Sequence, residues 1–578
     1  MKLSKLATAV ASGVVAFALV ASVHAHSSHD AKQQPKPNSH AHPQPHPNPP
    51  PHANPQPHPN PPPHANPHPH PNPPPHAHPQ QHAKQLEVAT QYGPVIGSAD
   101  DGIRQFLGIP YAAPPVGKLR WKAPQPPAKW TKPLLAQQFG SSCPQFGSPF
   151  GLESFDEDCL YLNVYTPDKK NAHHLPVMVW FHPGAYQFGE ADDYDPRRLV
   201  KRGVVVVTVN YRLGALGFLA HPALTKEAKP RTSGNYGLMD QQAALRWVKN
   251  NIAKFGGNPH NVTIFGDSAG GLSVHVHLVS PESQGLFHRA IIQSGAYSLQ
   301  QPTLAEAEQS GIAFANATGC TTQDAACLRA LPVATVLANQ IPAALGFLPN
   351  VDNYILPRSI GDALAAGKFH RVPVMQGATR DEFRLFIPLS FDFVSGPATP
   401  EIYTFAISAL VGTTLDHAAV IAQEYPLANY PDTNTALAAI GTDAVFACNM
   451  LKSSRYLARY VPTYVYEFND RTAPQRYLPP ASMPYGASHE ADLQYLFDIV
   501  TNMPPIPLNA QQRALAEDMV TAWTNFAYTG SPNLGPRLEW NLWLPAQLGF
   551  VRRWNSSGPA PYSLSAYSNE HRCEFWRD

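Results

Sequence analysis

From residue 86 onward the chain alternates short apolar runs with longer stretches of helical periodicity. Residues 177–181 read VMVWF, 204–209 read VVVVTV and 262–265 read VTIF. Such short, nearly unbroken runs fit strands covered on both faces, because a strand with one wet face would alternate apolar and polar positions. Between the last two runs, Ala243, Ala244, Trp247, Val248, Ile252 and Phe255 recur at helical spacing, and Gly256-Gly257 stops the pattern. Further strands are predicted at 290–293, 372–376 and 463–468, and helices within 400–460 and 505–530. The alternation predicts an α/β fold, a mostly parallel central sheet flanked by helices.

The first 85 residues follow neither pattern. Lys2 and Lys5 precede a small-residue apolar run over 6–20, and Val23-His24-Ala25 offers a small-x-small cleavage site. That arrangement predicts a secretory signal peptide over 1–25, since the run falls short of the ~20 residues a membrane span requires. No later apolar run is long enough to span either. Residues 26–85 hold 13 of the 26 histidines and 21 of the 63 prolines. With almost no large apolar side chains, the segment cannot offset its ordering entropy, and a disordered tail is expected. Within it PHPNPPPHANPQ at 45–56 recurs with small changes at 57–68 and 69–80. In a polyproline II helix the regularly spaced histidines from His46 to His76 would stand about 19 Å apart on one face, too far to share an ion. A spacer is the preferred reading. Weak metal binding stays open for closer pairs, such as His68 and His70 or His76 and His78, where the chain bends.

Setting that tail aside changes the charge picture. The whole chain carries a formal net charge of +1, but residues 86–578, expected to form one catalytic domain, hold 37 basic against 40 acidic residues. A nucleic-acid partner is therefore not expected, because neutralising phosphates needs a basic surface. The six cysteines, at 143, 159, 320, 327, 448 and 573, all follow the tail. An even number in an exported chain, secreted or periplasmic, suggests disulfides, and the residues alone leave about 15 pairings open. No Cys/His cluster has structural-zinc spacing, so neither a metal nor a cofactor is implied.

The candidate chemistry begins where a strand ends. The run 262–265 leads into Gly266-Asp267-Ser268-Ala269-Gly270, a GxSxG turn followed by a helix-like stretch. A sharp strand-to-helix turn strains the serine and projects it from the carboxyl end of the sheet, while the glycines remove Cβ atoms that would clash.

Around this turn the chain resembles the type-B carboxylesterase (cholinesterase-like) family of the α/β-hydrolases. The resemblance rests on FGGNPHNVTIFGDSAGG and Gly234-Asn235-Tyr236-Gly237, with EDCLYLNV at 157–164, FLGIPYAAPPVGKLRW at 106–121, NYRLGALGFL at 210–219 and CEFW at 573–576. It implies an α/β-hydrolase fold with a Ser-Glu-His triad. Glu382 in GATRDE at 377–382 matches the acid, and His489 in GASHEADL at 486–493 matches the base. Asp381 is the competing carboxylate, and Phe383 replaces the glycine usual after the acid, so a differently shaped acid loop is expected. The resemblance assigns the oxyanion hole to the backbone N–H groups of Gly184, Ala185 and Ala269. Pro183 has no N–H to offer, but it fills a glycine position that does not donate. Cysteine pairs 143/159, 320/327 and 448/573 are likewise implied, with ion pairs Arg120–Glu157 and Arg212–Asp240 and a supporting hydrogen-bonding role for Ser294.

These parts imply a serine esterase without cofactor, acting on a small-molecule ester through an acyl-enzyme. The first cysteine loop, PQFGSPFGLESFDED at 144–158, holds no tryptophan of the kind that binds choline in cholinesterases, and Asp267 stands where those enzymes have glutamate. Small to medium carboxylic esters are therefore expected, with Phe146, Phe150, Phe155 and Tyr186 as candidate gorge lining. The alternatives are a triacylglycerol lipase, or a metal-binding or adhesion protein carrying a non-catalytic hydrolase domain.

Overall fold

The computed structural model describes residues 86–169, 173–340, 347–501, 503–533, 549–557 and 560–577. The expected signal peptide (1–25) and histidine-proline tail (26–85) lie outside them. The apolar runs become the central strands: β1 (Leu175–Phe181), β2 (Val205–Val209), β3 (Gly257–Asp267), β4 (Arg289–Gln293), β5 (Val374–Thr379) and β6 (Thr463–Phe468). They lie in the order β2-β1-β3-β4-β5-β6 and are all parallel. Antiparallel strands from the first part of the chain, ending with Tyr161–Pro167 beside β2, extend one edge. Phe550–Trp554 adds a parallel strand at the other edge, followed by antiparallel Ala560–Ser563.

The unbroken apolar runs are explained by two cores. Val177, Val179 and Phe181 of β1 join one core, and Met178 and Trp180 join the other. On the first side α1 (Tyr236–Asn251) buries Leu238, Leu245, Trp247 and Val248; its predicted continuation to 255 tightens into a 3-10 turn, Ile252–Phe255. On the other side Ala510–Thr529 buries Leu515, Met519, Trp523 and Phe526. The long helical stretch predicted over 400–460 is several helices, with a π-helical turn at Thr442–Ala447. Among the described residues no single helix is long and apolar enough to cross a membrane.

Covalent and ionic ties join distant segments. The disulfides are Cys143–Cys159, Cys320–Cys327 and Cys448–Cys573. Arg212 pairs with Asp240 at 2.7 Å, both buried, and Arg120 makes a two-pronged contact with Glu157. Beside Cys573, His571 bridges Asp443 at 2.7 Å and Glu467 at 3.0 Å. Burial alone would lower its pKa, but these two carboxylates outweigh it and hold the imidazole at about 10.

The disulfides should differ in worth. A bond stabilises chiefly by restricting the unfolded chain, about 2.4 kcal/mol for the 7-residue separation of Cys320–Cys327 and about 4.9 kcal/mol for the 125-residue separation of Cys448–Cys573. Replacing both cysteines of a pair by serine should therefore lower the melting temperature more for 448/573 than for 320/327. Differential scanning calorimetry measures both.

Candidate active site

Strand register brings the predicted pieces to one end of the sheet. Phe181 pairs with Gly266, Asp267 with Gln293, and Gln293 with Gly377, so β1, β3, β4 and β5 finish level with one another. The turns that follow them carry 182–186, Ser268, Ser294 and 380–382, at the carboxyl ends where open α/β sheets bind ligands.

Ser268 joins β3 directly to the helix α2 (Ala269–Val279), with φ 52° and ψ −119°. A non-glycine residue at positive φ is strained, which here aims the side chain away from both elements. The glycines are there for close approach. A Cβ on Gly270 would stand 1.9 Å from the carbonyl oxygen of Phe181, and one on Gly266 would stand 2.5 Å from the Gly270 backbone.

After β1 the chain turns sharply through Gly184 (φ 108°), Ala185 (φ 56°) and Tyr186 (φ 59°). Among the described residues the amides of Gly184, Ala185 and Ala269 donate to no other group, so all three are free for a ligand. His182 braces this turn. Burial lowers its pKa to about 4, so it is neutral, and its Nδ1 lies 2.7 Å from the Pro183 carbonyl. Its ring stacks on Tyr211 at 4.4 Å.

The predicted acid and base meet. Glu382 Oε2 lies 2.5 Å from His489 Nδ1, while its Oε1 accepts from Ser294 Oγ at 2.6 Å and from the Thr379 amide at 2.8 Å. Nδ1 therefore carries a proton, and Nε2 presents a lone pair. Ser268 and His489 are not joined by a hydrogen bond: among the described residues Nε2 has no partner, and it stands 3.9 Å from Asp267 Oδ2. Asp381, the competing carboxylate, has another task. Its amide donates to the Ala487 carbonyl at 2.9 Å, its Oδ2 accepts from the Ala487 amide at 3.0 Å, and Arg471 clasps it at 2.9 and 3.1 Å. It ties the acid turn to the histidine loop.

Phe383, which follows the predicted acid, turns inward. It is fully buried against Phe386 and Phe446, and a Cβ on Gly441 would stand 2.3 Å from its ring. Phe386 and Phe446 each place a ring 5.0 Å from the His489 imidazole, an apolar wall the sequence reading missed. Of the candidate gorge residues, Tyr186 is a core residue packed on Phe218, Phe150 packs on Tyr477, and Phe155 is exposed beside Phe146.

The sequence reading also missed how acidic the surroundings are. Burial, followed by the charges of Asp492, Glu490 and Glu382, pushes Asp267 well above the ordinary carboxyl range. Burial pushes Glu490 up to about 7 and Asp492 to about 6. Half-buried Asp193 rises to about 9, through loss of solvent and then the charges of Glu190, Asp192 and Glu490. For His489, burial pulls the pKa down, but the charge and hydrogen bond of Glu382, with Glu490 and Asp492 behind them, raise it overall. The available signal was local: GEADDYD at 189–195 and HEAD at 489–492 are dense in carboxylates within a chain only 14% charged.

Known proteins resemble this chain in both sequence and fold. The family model described as "Carboxylesterase family" matches residues 84–576. Para-nitrobenzyl esterase of Bacillus subtilis (strain 168) is 36% identical over 467 residues, 77% of this chain and 90% of that protein. Fumonisin B1 esterase of Sphingopyxis macrogoltabida is 34% identical, covering 78% and 83%. Cocaine esterase of Homo sapiens is 34% identical, covering 84% and 90%. Among solved structures, a PNB esterase superposes with TM-score 0.71 at 32% identity, covering 84% of this chain and 100% of that one.

The elbow offers a direct check. Gly270→Ala should lower the melting temperature and the soluble yield, because its methyl group meets a strand carbonyl. Gly147→Ala, whose added carbon meets nothing closer than 3.6 Å, should change neither.

Proposed function

This chain belongs to the carboxylesterase family and is a carboxylic ester hydrolase, and we propose that it works through Ser268, His489 and Glu382 by way of an acyl-enzyme. The observation that carries the reading is the Glu382–His489 contact at 2.5 Å, with His489 Nε2 3.9 Å from Asp267, the residue before the strained Ser268. His489 Nε2 takes the proton of Ser268 Oγ as that oxygen attacks the ester carbonyl. Glu382 holds the imidazole and balances the charge it gains. The N–H groups of Gly184, Ala185 and Ala269 donate to the tetrahedral oxyanion, each worth about 3 kcal/mol when well aimed. His489 then returns its proton to the departing alcohol, and water, deprotonated by the same imidazole, releases the acid. Ser294 positions Glu382 and does not react.

The substrates proposed are small to medium carboxylic esters. Phe386 and Phe446 beside the imidazole support an apolar acyl or alcohol group, and relatives are named for para-nitrobenzyl and cocaine esters. The residues over 1–25, together with three disulfides, support export to the periplasm or medium, with 26–85 as a spacer.

A fluorophosphonate probe should label the wild type and not Ser268→Ala; an unlabelled wild type would sink the mechanism. Hydrolysis of p-nitrophenyl butyrate should far exceed that of the palmitate ester, and the reverse order with activation at an oil interface would favour a lipase. The base must be neutral to act, and its pKa lies above the ordinary 6.5. Activity should therefore be full at alkaline pH and fall as pH drops through a midpoint above 6.5. Glu490→Gln, which removes one charge favouring the imidazolium, should move that midpoint down in a pH profile of kcat/KM.

A further inference from the structure

Asp267 is the most conspicuous group that this mechanism leaves unused. It is fully buried, and among the described residues neither carboxylate oxygen has a hydrogen-bond partner. Burying such a group without a partner costs several kcal/mol. No arginine or lysine answers it: its one ion-pair contact among the described residues is His489 Nε2, 3.9 Å away and itself unpartnered. Glu490, the next residue after the base, turns its carboxylate to the same spot. It is held at φ 63°, and one ligand atom each from Asp267, His489 and Glu490 lie within 4.8 Å of one another. Glu382 and Asp492 add negative charge around them.

We propose that Asp267, His489 and Glu490 form a binding site for a divalent transition metal ion, zinc foremost, whose occupancy shuts off hydrolysis. The chemistry of the donors selects this class. One imidazole nitrogen and two carboxylates suit zinc, whereas magnesium and calcium favour all-oxygen sets. The imidazole is already prepared as a ligand, since metal-binding histidines donate their second N–H to a carboxylate, the contact Glu382 makes with Nδ1. A tetrahedral ion with bonds near 2.0–2.1 Å needs ligand atoms about 3.3 Å apart, so the three side chains close inward around it. A fourth position is left for water. The metal takes the Nε2 lone pair, and that nitrogen can no longer accept the Ser268 proton. The block rests on reading His489 as the base, whereas the binding does not.

The test uses the full-length chain, because the histidine-rich segment is then the same in every protein compared. Hydrolysis of p-nitrophenyl butyrate is followed at pH 7.5 against buffered free zinc, and against magnesium. Zinc should inhibit, EDTA should restore the rate, and magnesium at the same concentration should do nothing. Relative to its own zinc-free rate, Glu490→Gln should need at least tenfold more zinc for half inhibition, and Asp267→Asn should behave alike. A second readout needs no catalysis: zinc should raise the melting temperature of Ser268→Ala more than that of Ser268→Ala/Glu490→Gln. Equal inhibition of wild type, Glu490→Gln and Asp267→Asn, or equal zinc shifts in the two Ser268→Ala proteins, would overturn the proposal. A metal-free wild type that does not hydrolyse would instead remove the catalytic reading, and the melting-temperature comparison alone would decide the site.

Discussion

The approach of the Gly270 backbone to the Phe181 carbonyl is the contact on which the proposed active site depends. There is no room for even a methyl group between them. The close packing lets the first turn of α2 lie against the end of β1, so the serine elbow and the turn at 182–186 share one neighbourhood. The Ser268 backbone and the amides of Gly184, Ala185 and Ala269, the proposed oxyanion donors, are thereby positioned by main chain alone, between strands at the centre of a sheet that is covered on both faces.

The other half is built differently. Glu382 and His489 come from separate loops and are held by side-chain hydrogen bonds, with Ser294 and Thr379 fixing the acid and Asp381 fastening one loop to the other. The surrounding carboxylates repel one another, and folding tolerates them because several keep their protons near neutral pH. The charge and hydrogen bond of Glu382, with smaller contributions from Glu490 and Asp492, nevertheless raise the pKa of His489, the proposed base. An imidazole surrounded by acids gains basicity, and its cation is stabilised as it forms.

The fold was legible because its central strands are buried on both faces. Runs such as VMVWF and VVVVTV carry no polar interruption, and the strand at 463–468 is reproduced to the residue. The elbow was legible because its glycines are demanded by backbone geometry that recurs wherever such a turn occurs. The pairing of half-cystines and the identity of acid and base were not written in spacing; they came from resemblance. What escaped were features made only by tertiary contact. Phe386 and Phe446 approach the imidazole from separate helical segments, and Tyr186, adjacent to the oxyanion turn, points into the core. Asp267 reads as a turn residue in sequence, and its isolation among other acids exists only once 190–193 and 489–492 have been folded together.

The Cys448–Cys573 bond also orders events during synthesis. Its first half-cystine leaves the ribosome 125 residues before its partner exists, whereas Cys143 and Cys320 wait only 16 and 7 residues for theirs. Cys448 must stay reduced, or unpaired with the four earlier cysteines, throughout that interval. A chain made in an oxidising compartment is thus exposed to mispairing at one known position, and a disulfide isomerase has its clearest substrate there. A chain interrupted before Cys573 would display a free thiol at Cys448, a mark by which an incomplete molecule differs chemically from a finished one.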